Sequence, residues 1–292
     1  MKRLHKGSIS TADIPSLAAS CDYACLVDVG PTKAKAVADA GVKLLGYVKA
    51  CGSRGPTASA GQDAEYPAAV AAGLLWKMPD GTPVTQVENK WTYLRVQDRA
   101  ADVYRVVVKP RIEAMLASAP GAYAGVLVDN TTWQDPSLFY PAVPPDFDAV
   151  LFHNGTLAIL ALIRADFPAL IIAANGICGG APTGLRGEVF GGVNPATGKP
   201  WADLVWIENI RFKASGKRQT DARFQADLGL VIGLANAGRT IVWDETSKAV
   251  GSLDFAESLS AAYAARSRIT GAGSVVVSSA GAPWGVDWMR AA

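Results

Sequence analysis

Residues 123–133 read YAGVLVDNTTW, an apolar run that stops at Asp129-Asn130. A short carboxylate at the end of a buried strand sits on a rigid base. In α/β barrels and open sheets, the C-terminal strand ends carry the chemistry. An Asp-Asn pair also caps helices and turns, so a single such stretch decides nothing. The pattern recurs, however. The apolar runs end in turn at Asp28, Lys49, Arg95 with Asp98, Asp129, Asn175, Glu208, Asp244 with Glu245, and Ser278, so ionisable groups close six of eight. Such a ring reads as the lining of a site.

Carboxylates without many histidines or cysteines narrow the chemistry. Two facing carboxyl groups cleave a glycosidic bond when one stays ionised as nucleophile or base and the other, protonated, donates to the leaving oxygen. The chain has only two histidines, and its four cysteines (Cys21, Cys25, Cys51, Cys178) form no CxxC pair. A zinc site is therefore not expected, and no metal ligand is assigned. The four cysteines leave a Cys21–Cys25 or Cys51–Cys178 disulfide open. No GxGxxG or GxxxxGK[ST] loop is present, which argues against a nucleotide; no cofactor is expected. Eight tryptophans and eight tyrosines suit stacking on sugar faces. Trp133 and Trp284 fall in loops and are candidate substrate contacts, whereas Trp206 and Trp243 read as packing between strands and helices. A lysine ending a strand, Lys49, also allows a Schiff-base lyase if desolvated; no phosphate-binding loop supports that reading.

The elements that must hold this ring alternate. Strand-like runs cover 22–29, 42–49, 91–96, 123–128, 169–174, 203–207, 239–243 and 273–277. Helical patterns separate them, among them 31–40 with Pro at its start and Gly41 past its end, 67–76, 99–118 with a kink at Pro110, 146–166, 220–237 and 252–267. His153 falls within one of them, as a packed or partly exposed helix residue. Eight β-runs alternating with helices predict an α/β fold, a single (β/α)8 TIM barrel with long βα loops after strands 2, 4 and 5. The whole of 1–292 reads as one domain, with 1–21 as an N-terminal lead-in.

The bulk numbers agree. Half the residues are hydrophobic, 18% are charged and the net charge is +2, so no strong field draws nucleic acid or an anionic membrane. The basic start lacks an apolar core, so no signal peptide is read. No apolar run is long enough to span a bilayer. These features lead to an expected cytoplasmic or virion-associated location.

One resemblance adds to this reading. The elements GYVKACGSRG, WTYLRVQD, AGVLVDNTTW, IIAANG, VWIEN and VWDET resemble those of glycoside-hydrolase TIM barrels related to endo-α-1,4-polygalactosaminidase. Those barrels have a Gly-hydrophobic-Asp-Asn element ending strand four, an Asn-Gly after strand five and an acid ending strand six. Here Gly125–Asn130, Asn175-Gly176 and Glu208 match. The resemblance implies a glycosidase with Asp129 as nucleophile or base and Glu208 as acid/base. Asp244-Glu245 stands as a competing acid pair, so Asp129 has more than one candidate partner. Asp28, Lys49, Arg95, Asp98, Asn130, Trp133, Asn175, Asp244, Glu245 and Trp284 are expected to bind sugar or tune the two carboxyl groups; a nearby cation depresses a carboxyl pKa and a second carboxylate raises it. The expected partner is a polysaccharide or oligosaccharide. The alternative is a barrel of the same shape without chemistry, binding carbohydrate or serving as an assembly part of a phage tail or cell-surface complex.

Overall fold

The parallel strands come first because they set every position that follows. In the computed structural model the described residues are 3–26, 29–58, 61–86, 91–129, 144–177, 192–208, 218, 220–244 and 253–280. Ten strands occur among them: β1 (Arg3–Gly7), β2 (Tyr23–Leu26), β3 (Lys43–Lys49), β4 (Gly52–Arg54), β5 (Trp91–Tyr93), β6 (Tyr123–Asp129), β7 (Ile171–Ile177), β8 (Leu204–Glu208), β9 (Thr240–Asp244) and β10 (Ser274–Ala280). All but β4 and β5 pair in parallel in the order β1-β2-β3-β6-β7-β8-β9-β10, and β10 pairs back onto β1 to close the barrel.

One expected strand leaves the barrel and an unexpected one takes its place. The run at 91–96 is not a barrel strand: Trp91–Tyr93 pairs antiparallel with Gly52–Arg54 in a separate two-stranded ribbon, and β3 pairs directly with β6, Lys49 opposite Asp129. The hydrophobicity of 91–96 serves a different cluster. Tyr93, Leu94 and Val96 pack with Trp76, Phe152 and Val107 outside the barrel wall. The missing strand is β1, in the stretch read as a lead-in. Arg3–Gly7 holds one apolar residue, Leu4, and its place comes from neighbours on both edges.

Helices cover the outside of the sheet. Helix Pro31–Asp39 starts on proline, and Gly41, at φ 86°, turns the chain into β3. The helical pattern at 67–76 shortens to Tyr66–Ala71. At 99–118, Val96–Val103 and Lys109–Ser118 flank a wider π turn over Tyr104–Val108; the turn comes just before Pro110, whose missing N–H would otherwise break the ladder. Asp148 caps helix Ala149–Asp166, accepting from the N–H groups of Val150 (2.8 Å) and Leu151 (2.9 Å). That helix is long and apolar enough to cross a membrane by length and composition, where the sequence reading found no apolar run of spanning length. Here it packs Phe152, Ile159, Leu160 and Ile163 into the core. His153 on it is buried.

Three clusters make the core. Two lie between sheet and helices, one around Leu44, Val205, Ile241 and Trp243 and the other around Val48, Val126, Val128 and Ile172. The third fills the barrel interior with Tyr23, Cys25, Leu45, Leu127, Ala173, Leu204, Trp206 and Val242. Trp243 thus packs toward the helices as expected, whereas Trp206 lies inside the barrel. Strand alternation accounts for the difference, since neighbouring residues face opposite sides.

Candidate functional site

The same alternation selects the site residues. Leu45, Leu127, Ala173 and Val242 are interior residues, and the period of two continues that face upward to Tyr47 and Lys49, Asp129, Asn175 and Asp244. Lys49, Asp129 and Asp244 end their strands, and Asn175 lies two residues from the end of β7.

Asp129 is held from both sides. The Tyr47 hydroxyl of β3 donates to Oδ2 at 2.5 Å, and the Asn175 amide of β7 donates to Oδ1 at 2.7 Å. Each carboxylate oxygen therefore has a donor from an adjacent strand, which fixes the plane of the group. Asp129 is only partly buried, so it stays open to a ligand. Tyr47 was not singled out in the sequence reading. Its signal was the period itself, since it precedes Lys49 by two on the same face.

Asp244 is fully buried and accepts from the Trp206 indole N–H, Oδ2 to Nε1 2.9 Å. Trp206→Phe removes that donor from a buried carboxylate. The expected cost is about 1–3 kcal/mol, seen as a lower urea midpoint with an unchanged slope. Glu208 ends β8 in register with Asp244 on β9. Asp28, Asn130, Trp133, Glu245 and Trp284 lie outside the described residues.

Arg95 and Asp98 are not brought to the strand ends. Once 91–96 leaves the barrel, Arg95 becomes the residue before helix Val96–Val103, paired with Asp98 and reaching Asp146 at 3.4 Å. Gln97 ties the same corner to the Asp146 carbonyl at 2.7 Å. These contacts brace the start of helix Ala149–Asp166.

Lys49 is 6% exposed, and its ammonium lies 4.9 Å over the Trp91 ring of the ribbon. Close by, Cys51 is buried. Burial pushes its thiol from 9.0 up to about 11, with Lys49 drawing it down and Asp129 pushing it up. Cys21, Cys25 and Cys51 are free thiols, so no disulfide joins Cys21 to Cys25 or Cys51 to Cys178. Two outcomes are expected for Cys51. Iodoacetamide at pH 8 leaves it unmodified in the folded protein and labels it in guanidinium, as peptide mapping will show. Because the folded thiol ionises later than the unfolded one, its contribution to stability is intact below about pH 9 and is lost as pH rises towards 11. Among the described residues no three His, Cys, Asp or Glu side chains gather as a metal site.

The parallel sheet curled into a barrel and wrapped by helices, with a braced carboxylate at its C-terminal end, is glycoside-hydrolase-like in fold by its likeness to solved structures. Two glycoside hydrolase structures and one uncharacterised protein illustrate the likeness. The glycoside hydrolase domain of PelA from Pseudomonas aeruginosa matches with a TM-score of 0.59 at 16% identity, over 98% of this chain and 96% of that one. The GH36 α-galactosidase AgaA A355E from Geobacillus stearothermophilus, with 1-deoxygalactonojirimycin, gives 0.55 at 15% identity, over 95% of this chain and 39% of that one. An uncharacterised protein from Listeria monocytogenes EGD-e, solved with glucose, magnesium and calcium, gives 0.54 at 12% identity, over 98% of this chain and 29% of that one. No family model and no curated protein matches the sequence.

Proposed function

We propose that the chain is a single (β/α)8 domain that hydrolyses a polysaccharide through Asp129 and Glu208 without a cofactor. The observation that carries this reading is the bracing of Asp129 by Tyr47 and Asn175 at the mouth of the barrel. A carboxylate with both oxygens accepting from rigid neighbours has its orientation fixed before substrate arrives. The resemblance to polygalactosaminidase-related barrels supports the same assignment, and the superposition on the PelA glycoside hydrolase domain supports the glycosidase reading at the level of the fold.

In this mechanism Glu208 protonates the glycosidic oxygen as the bond to the anomeric carbon breaks. Asp129 either attacks that carbon or takes the proton of an attacking water. Carboxyl groups about 5 Å apart give the first course and retention; about 6.5–9.5 Å gives the second and inversion. The anomer formed first, read by NMR, separates them.

The test is release of reducing ends from a panel of polysaccharides by wild type, Asp129→Asn and Glu208→Gln, each confirmed folded by circular dichroism. Cleavage by wild type and failure of both variants is the expected result. A wild type that binds a glycan but cuts nothing would make the barrel a recognition module instead.

A further inference from the structure

The mouth of the barrel beside Asp129 holds a lysine with no ion-pair partner among the described residues. Three basic side chains gather on the Trp91 indole: Lys49 at 4.9 Å, Arg54 at 5.2 Å and Arg111 at 5.8 Å from the ring centroid. Two are neutralised. Arg54 pairs with Asp63 at 2.8 Å, and Arg111 pairs with Asp63 at 3.1 Å and with Glu65. Lys49 is not. Among the described residues no carboxylate lies within ion-pair distance of its ammonium and no acceptor bonds it, although the residue is 6% exposed.

A charge on a largely buried residue, with no ion-pair partner among the described residues, is suited to a ligand that completes it. The position fits that role. Lys49 ends β3 in register with Asp129, on the face that lines the barrel. Arg111 pins the strand end, its Nη1 donating to the Lys49 carbonyl at 2.7 Å. Gly52 lies just beyond, with space for a Cβ only 3.5 Å from the Lys49 Cε, so the lysine stem runs against backbone.

We infer that Lys49 is an anion subsite, and that the polysaccharide cleaved at Asp129 carries an acidic group, a carboxylate or a sulfate, on the sugar beside the scissile bond. This rests on the glycosidase reading for the word "cleaved", but the recognition stands on Lys49 alone. A neutral sugar hydroxyl can accept a hydrogen bond from the ammonium but brings no countercharge. An amino sugar sets a second positive charge beside it. An anion supplies both the hydrogen bond and the countercharge.

The test measures binding and turnover separately, with the full chain. Affinity electrophoresis uses polygalacturonate, alginate, hyaluronate and an O-sulfated galactan, each beside its carboxyl-reduced or desulfated counterpart, plus chitosan. At least one acidic polymer should bind about tenfold or more tighter than its neutral counterpart, and which pair shows it separates carboxylate from sulfate. Lys49→Met should bring that ratio close to one, and Lys49→Arg should keep it. Lys49→Gln replaces the methionine variant if circular dichroism shows that it does not fold. The inference is overturned if no acidic polymer is preferred, if chitosan or a neutral polymer binds best, or if the preference survives the loss of charge. Reducing-end release from the preferred polymer tests the glycosidase reading independently: a Lys49-dependent preference without cleavage leaves the subsite and removes the enzyme.

Discussion

Asparagine at position 129 should lower hydrolysis of the cleaved polysaccharide by about 10³-fold or more, within or above the usual range for loss of a proton-transferring group, while leaving the fold intact. Asparagine is nearly isosteric with aspartate. Its amide oxygen can still accept from the Asn175 side chain, now 2.7 Å from Oδ1. Its amide N–H can donate to Tyr47, whose hydroxyl both donates and accepts. The two cross-strand hydrogen bonds therefore survive with one reversed, and stability changes by about 1 kcal/mol or less. What is lost is the negative charge and the basic lone pair. Tyr47→Phe is the informative contrast. It keeps the carboxylate and removes only the 2.5 Å bond that orients it, so activity should fall much less than in Asp129→Asn. Reducing-end assays on both variants, with matched circular dichroism spectra, check the order. Equal losses would mean that Asp129 serves the architecture and not the reaction.

How far the site was legible in sequence follows from which residues the strands control. Asp129, Lys49, Asn175 and Asp244 were legible because their strands are buried on both faces and read as unbroken apolar runs, so the first polar residue marks the barrel mouth. Tyr47 was equally available through the period of two. The ring itself was misassigned at one place. Arg3–Gly7 has almost no apolar content, and a strand whose backbone is satisfied by two neighbours needs none. Trp91–Tyr93 has the aromatic content of a strand and is one, but its partner is the ribbon strand Gly52–Arg54. The stacking of Lys49 on Trp91 joins residues far apart in the chain through that antiparallel pairing. No local pattern encodes such a contact, so it emerges only from the fold. Arg95 and Asp98 show the converse, since local spacing made them look like site residues while the tertiary fold uses them as a brace.

Gly125→Ala should destabilise the protein by about 3 kcal/mol, the upper end of the usual overpacking cost, and depress activity in the molecules that remain folded. Gly125 lies opposite Ile171 on β7, just past the irregularity where the pairing of β3 with β6 shifts register. A Cβ there would stand 2.2 Å from the Ile171 carbonyl oxygen and 2.7 Å from its Cβ. The obstruction includes backbone of a ladder-bonded strand, which cannot rotate away as a side chain can, so β6 and β7 must separate. At roughly 2–4 °C per kcal/mol for a chain of this size, the melting temperature should fall by about 6–12 °C. The same two strands carry Asp129 and Asn175 two pleat repeats higher, and a shift of about 1 Å in a reacting group can cost on the order of 10²-fold in rate. Gly229→Ala provides the control. It is the same chemical change, but Gly229 lies on helix Asp221–Asn236, and a Cβ there meets nothing within 4 Å. Helix propensity then favours alanine by up to about 1 kcal/mol, and this variant should melt slightly higher than wild type. Opposite signs for the two glycines, measured by thermal unfolding, would tie the stability of the site to the closeness of β6 and β7; a shared sign would separate them.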